Sequence, residues 1–257
     1  MSEDNIIVRR DGAVLEIRFN RPAKKNAITN AMYGAMADAL ESAAADKGVR
    51  AILYTAEGDL FTAGNDLMDF AAQNTGAFEG PRHVQRFLER MIEAEKPVIA
   101  AVQGDAVGVG VTMLLHCDLV YIAEAARLIT PFVDLGLVPE NASSLTLPAR
   151  IGHARAFQLL GLCEPMLGRE AALCGIANAA LPAGEVEAKA RAAAQKLALK
   201  APEALRLTKN LMRDRAPLMV RMNEEGALFG QRLKSAEAAE AFAAFMQKRP
   251  ADFSKLD

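Results

Sequence analysis

Two rhythms of apolar and polar residues run along the chain. In Val14-Leu15-Glu16-Ile17-Arg18-Phe19, the residues Leu15, Ile17 and Phe19 share one face, which predicts a half-buried strand. The polar run Arg21-Pro22-Ala23-Lys24-Lys25-Asn26 ends it. Thr29 predicts an N-cap for a helix to about Ala45, because Met32, Met36, Ala39, Leu40 and Ala43 recur at helical spacing. Ala51-Ile52-Leu53-Tyr54-Thr55 reads as a short apolar strand closed by Glu57-Gly58-Asp59. A second unit begins at Pro97, with a strand over 98–102, a helix over 107–116 and a strand over 119–123. This alternation predicts an α/β fold. Residues 74–82 are Gly-rich and polar and read as a mobile loop.

The rhythm changes near the end. Residues 185–200, 202–215, 217–233 and 236–249 all read as helices. Pro202 and Pro217 fall where a first helical turn tolerates them, and Ser235 can cap the last helix. The expectation is a helical appendage on an α/β body. Its Ala-rich faces suit close packing, within the chain or between subunits.

Composition narrows the function. The chain has 257 residues, 30 Lys plus Arg against 32 Asp plus Glu, and a formal net charge of −2. That balance lacks the basic surplus that nucleic acid demands of a main partner. Cys117, Cys163 and Cys174 are an odd set without a CxxC pair, so a reducing compartment is expected, and cytoplasmic is the assignment. Met1-Ser2-Glu3-Asp4-Asn5 is acidic and has no apolar run, so no leader peptide is expected. Ser254-Lys255-Leu256 would be a peroxisomal address only as the last three residues, and Asp257 follows it. The most apolar window, 98–115, contains Gln103, Asp105 and glycines, and reads as strand, turn and buried helix rather than a membrane span.

Three stretches offer chemistry. Phe61-Thr62-Ala63-Gly64-Asn65-Asp66-Leu67 follows a strand, and its small residues would let backbone N–H groups approach a ligand; an ordinary glycine turn explains it equally well. Gly104-Asp105-Ala106-Val107-Gly108-Val109-Gly110-Val111-Thr112 is a strand running into a Gly-spaced helix start, where free N–H groups favour negative charge; close helix packing is the plainer reading. In Leu135-Gly136-Leu137-Val138-Pro139-Glu140-Asn141-Ala142-Ser143-Ser144, a carboxylate sits among small and apolar residues before a helix. It either stabilises that helix end or acts as a general base in an apolar pocket. No His or Cys spacing matches a zinc site, and no Gly-x-Ser-x-Gly is present.

In this order the stretches resemble the enoyl-CoA hydratase/isomerase (crotonase) family, from Ala13 to Phe253. Arg21-Pro22 through Asn26-Ala27-Ile28 and Phe245-Met246-Gln247-Lys248-Arg249-Pro250 match its first and last motifs. The resemblance implies a crotonase-like spiral of strand–strand–helix repeats. It divides the chain into an acyl-CoA-binding core over 1–195 and a helical trimerisation region over 196–257, giving a homotrimer or hexamer. It implies an acyl-CoA thioester as substrate, with no cofactor beyond that CoA, no nucleic acid and no membrane. The thioester oxygen would rest on the N–H groups of Asn65 and Val109. Around it, Gly64, Asp66, Leu67, Gly108, Thr112, Pro131 and Leu135 would contact the acyl-CoA. Lys24 or Lys25 would meet the phosphates, the backbones of Ala27 and Ala63 the adenine, and Lys248 a phosphate, from a neighbouring subunit.

Hydratases of the family use two glutamates, and this chain has Thr112 and Phe132 at those positions. The string Thr130-Pro131-Phe132, Leu135-Gly136, Pro139-Glu140 and Ser143-Ser144, with Gly64-Asn65-Asp66-Leu67, is similar instead to peroxisomal-type Δ3,Δ2-enoyl-CoA isomerases. There a single glutamate at the position of Glu140 moves the proton. Those enzymes often have Gly after it, where this chain has Asn141-Ala142. The rival readings are an enoyl-CoA hydratase or another reaction of the family, and a non-catalytic acyl-CoA-binding module like the crotonase domains of chromodomain corepressors.

Overall fold

The computed structural model describes residues 4–66, 68, 80–254 and 256. Leu67 and most of the loop predicted at 74–82 lie outside these residues. β1 (Ile6–Asp11) and β2 (Val14–Phe19) form an antiparallel hairpin, and α1 (Asn30–Ala45) leads to β3 (Ala51–Ala56). α2 (His83–Glu93) leads to β4 (Val98–Val102), followed by β5 (Ala106–Val107), the single turn α3 (Val109–Thr112) and β6 (Leu119–Ala123). Then come β7 (Arg127–Ile129), α4 (Ser143–Ile151), α5 (His153–Leu160), β8 (Met166–Leu167), α6 (Gly168–Cys174) and β9 (Ala179–Leu181). Four helices close the chain: α7 (Ala183–Ala198), α8 (Pro202–Met212), α9 (Arg215–Arg232) and α10 (Ala236–Gln247).

The strands make two sheets. The larger has the order β1-β2-β3-β4-β6-β9 and is parallel from β2 onward. The smaller has the order β5-β7-β8. Parallel strands need crossovers, and the helices supply them, covering the sheet faces. Hence β3 and β4 are buried along their whole length and read as continuous apolar runs.

Local chemistry places the elements. Thr29 accepts the Met32 N–H at 3.3 Å and starts α1, whose buried side includes Met32, Met36, Ala39, Leu40 and Ala43. Asp214 and Ser235 cap α9 and α10 in the same way. Two expectations change. β2 is not half-buried in the simple sense, because Glu16 on its second face is also buried under α7, bonded to Thr55, Arg18 and Arg191. The helix expected over 107–116 begins only at Val109, because Val107 pairs with β7 and Gly108 turns left-handed. It tightens to a 3₁₀ turn over Met113–His116. Residue 195 lies within α7, which packs on β3, β4 and β6. Among the described residues no helix is long and apolar enough to cross a membrane.

Candidate active site

Beyond the C-terminal end of β3, the chain is laced to the segment before α1. Ala63 N–H donates to Lys25 O at 2.9 Å, Ile28 N–H to Gly64 O at 2.8 Å, and Asp66 N–H to Ile28 O at 2.9 Å. The Tyr33 hydroxyl donates to Asn65 Oδ1 at 2.6 Å, and Arg21 pairs with Asp66 at 2.6 Å. Gly64 has φ +83°, and a Cβ there would lie 2.8 Å from Val107 O. This glycine therefore lets the Asn65 loop approach the start of α3. Gly108, at φ +55°, turns the chain so that the helix begins with Val109. The first N–H groups of a helix have no partner within it. Among the described residues, neither the Asn65 nor the Val109 N–H donates to the protein.

Glu140 lines a cavity with both of these residues. A cavity of about 80 Å³ is lined by Asn65, Val109, Pro131, Phe132, Leu135 and Glu140, together with Gly64 and Gly108. A larger one of about 500 Å³, between α2 and α9, is also lined by Asn65, Asp66 and Glu140. The two share Asn65, Glu140 and Phe229. Glu140 is 8% exposed, and its Oε1 has no partner among the described residues. Burial pushes its carboxyl up to about 7, and the neighbouring Glu225 adds to the rise. Sequence left open whether burial or the following helix governs this carboxyl, and burial prevails.

The turn carrying Glu140 is strained and braced. Asn141 and Ala142 both adopt left-handed backbone, at φ +62° and +55°. Such backbone costs a non-glycine residue roughly 1–2 kcal/mol. Two side chains hold it. His116 bonds Asn141 O at 2.7 Å through Nε2, and the Arg213 guanidinium donates to its Nδ1. Since a guanidinium only donates, His116 carries its proton on Nε2. Burial and the Arg213 charge push the imidazole down to about 3, so it stays neutral. From α9, Glu225 accepts the Ser144 N–H at 2.9 Å.

The structure thus brings together Glu140, Asn65, Val109, Ala63, Gly64, Asp66, Gly108, Pro131 and Leu135. Thr112 lies apart from these residues: it is fully buried, its hydroxyl turns back to Val109 O at 3.4 Å, and it lines neither cavity. Lys25, Ala27 and Lys248 also line neither cavity; Lys25 and Lys248 are exposed at left-handed turns. Glu225, His116 and Tyr33 escaped the sequence reading. A signal existed for Glu225, which follows Leu218 and Met222 on the buried side of α9, where an apolar residue would be expected.

Comparison with known proteins identifies the family and the fold. The enoyl-CoA hydratase/isomerase family pattern matches residues 9–255. A rat enoyl-CoA delta isomerase 2 is 34% identical over 95% of this chain, which spans 64% of that protein's length. A probable enoyl-CoA hydratase from Bacillus subtilis is 33% identical over 98% of this chain and 99% of its own. The crystal structure of an enoyl-CoA hydratase/isomerase from Pseudoalteromonas atlantica superposes with a TM-score of 0.93 at 40% identity, covering 97% of this chain and 100% of that one. The fold is therefore that of the crotonases, a class of acyl-CoA enzymes. Within that class, the chain belongs to the enoyl-CoA hydratase/isomerase family.

Proposed function

We propose that the protein shifts the double bond of a 3-enoyl-CoA to the 2-position, with Glu140 as sole acid and base. One observation carries this reading. Among the described residues, the titratable side chain where the two cavities meet is Glu140 alone, while the two positions at which the family's hydratases place glutamates hold Thr112 and Phe132.

The chemistry needs one base. The C2 proton of a 3-enoyl thioester is acidified by both the carbonyl and the double bond. Glu140 removes it, and the electron pair moves into the thioester carbonyl to form a dienolate. The dienolate oxygen rests on the N–H groups of Asn65 and Val109, each such donor being worth ~2.7–4 kcal/mol. Glu140, now protonated, returns the proton at C4. A base near pH 7 suits this work and contributes ~10²–10⁴-fold. The carboxylate is the active form, so turnover rises with pH through about 7. Lys25, Ala27 and Lys248 remain proposed contacts for the CoA portion, outside these cavities.

Relatives named isomerase and hydratase are similarly close. A hydratase would need a second carboxylate to activate water. Glu225 does not supply it, since it lines neither cavity and is tied to Ser144. The test follows ultraviolet absorbance after mixing the protein with a trans-3-enoyl-CoA. A rise that persists, and that Glu140→Gln abolishes while the variant still binds CoA esters, is the expected result. Near-normal turnover by Glu140→Gln, or rapid hydration of crotonyl-CoA, would overturn the proposal. Failure on every enoyl ester with intact binding would point to a binding module.

A further inference from the structure

α4 begins three residues after Glu140, and its first-turn N–H groups ought to stabilise a nearby carboxylate. Such an arrangement would make Glu140 a strong acid and a weak base. The structure averts this in an unusual way. The residue preceding α4, Ala142, has no side chain with which to cap the helix. The acceptor comes from 81 positions away, where Glu225 Oε1 takes the Ser144 N–H. Glu225 is 4% exposed, and its Oε2 has no partner among the described residues. Burying a second carboxyl is costly, and a glutamine or serine would cap the helix without its charge.

We propose that Glu225 is a positioning residue that keeps Glu140 basic. It occupies the start of α4, so that helix end is not available to stabilise a carboxylate at 140, and it sets a like charge behind the reacting carboxyl. It acts through Glu140 and does not touch substrate, because it lines neither cavity. The inference rests on Glu140 as the base. Among the described residues, the other charged and titratable groups around Glu140 are these. Arg221, also on α9, reaches Ser144 Oγ at 3.2 Å and is paired with Glu224. Asp66, Arg82 and Tyr33 line the larger cavity, with Asp66 held by Arg21. His116 lies behind Asn141 and is neutral. Burial raises the Glu140 carboxyl most, and the charge of Glu225 adds to the rise.

The test separates charge from capping. Glu225→Gln keeps an acceptor of the same shape for the Ser144 N–H and loses the charge. The pH dependence of kcat on a 3-enoyl-CoA is measured for wild type and variant. In parallel, the Glu140 carboxyl is titrated by ¹³C NMR, its signal assigned by its loss in Glu140→Gln. In the variant, both midpoints should move down together toward the ordinary carboxylate range. If the limb moves by one unit, the rate at pH 6, normalised to its plateau, rises about fivefold. Should Glu225→Gln fold poorly, Glu225→Met keeps the volume and should shift the midpoint in the same direction. Unchanged midpoints in a folded variant would overturn the proposal and leave Glu225 a plain helix cap. If Glu140→Gln proves active, the isomerase mechanism fails instead, and the NMR titration alone still decides the role of Glu225.

Discussion

Glu140→Gln should cost activity and yield stability, and the gain should depend on pH. Burial raises the Glu140 carboxyl from its ordinary 4.5 to about 7. At 1.36 kcal/mol per unit, that shift is worth about 3 kcal/mol. The sign follows from proton counting. Between pH 4.5 and 7 the folded chain holds a proton that the unfolded chain releases, so this contribution to stability is full below about 4.5 and lost as pH rises through about 7. Glutamine does not titrate, so the variant escapes the loss. Urea unfolding of both proteins at pH 5 and pH 8.5, at one protein concentration, reads the effect as a difference of differences. Any pH-independent cost of the buried amide cancels. The variant should gain about 2–3 kcal/mol more over wild type at pH 8.5 than at pH 5, or roughly 6 °C in Tm for a chain of this length. A difference that stays flat across that range would show that Glu140 is not held protonated by burial. The reasoning about its basicity would then fail with it.

Gly64→Ala should separate the two oxyanion loops, because its Cβ would lie 2.8 Å from Val107 O at φ +83°; turnover of a 3-enoyl-CoA should fall at least tenfold, whereas Gly108→Ala, with open space around the new Cβ, should cost about 1–2 kcal/mol of stability by thermal melting. His116 is held near 3, below its unfolded value of 6.5, so wild-type stability present above pH 6.5 is lost as pH falls toward 3. Acid unfolding of His116→Gln should be shallower over that window. Asn141→Gly relieves a left-handed backbone and an amide without a partner, and should raise stability by about 1–2 kcal/mol with turnover retained, since the His116 bond goes to the backbone carbonyl.

How much of this was legible depends on how far each signal reaches along the chain. Thr29 capping α1, Ser235 capping α10 and the apolar runs of β3 and β4 are local, and the structure places them as the sequence predicts. Glu16 was misread because alternation describes one covered face, while α7 brings Glu187 and Arg191 over the other. The burial of Thr112 is not legible in its motif, because a position in a motif does not say which way a side chain turns. Glu140 could be singled out as a lone carboxylate among apolar residues. Its state could not, because it depends on burial within the folded chain and on Glu225 of α9, far away in sequence. His116 was passed over because a histidine is read by its ligand spacing. Here its partners are a backbone carbonyl and an arginine.

The supports of Glu140 share a feature that bears on its chemistry. His116 binds the carbonyl of the next residue, and Glu225 binds an amide four residues on. Both fix the turn without contacting the carboxyl, and Oε1 is left uncommitted. A carboxylate held directly by donors would be well placed but acidic, and a poor base for carbon. A carboxylate on an unbraced turn would keep its basicity and lose its aim at the two amides. Bracing the backbone while leaving the oxygen free meets both demands, and it does so at the cost of two left-handed residues and two buried carboxyls. On the proposed isomerase reading, that cost serves a group that takes a proton at one carbon and returns it at another from a single position.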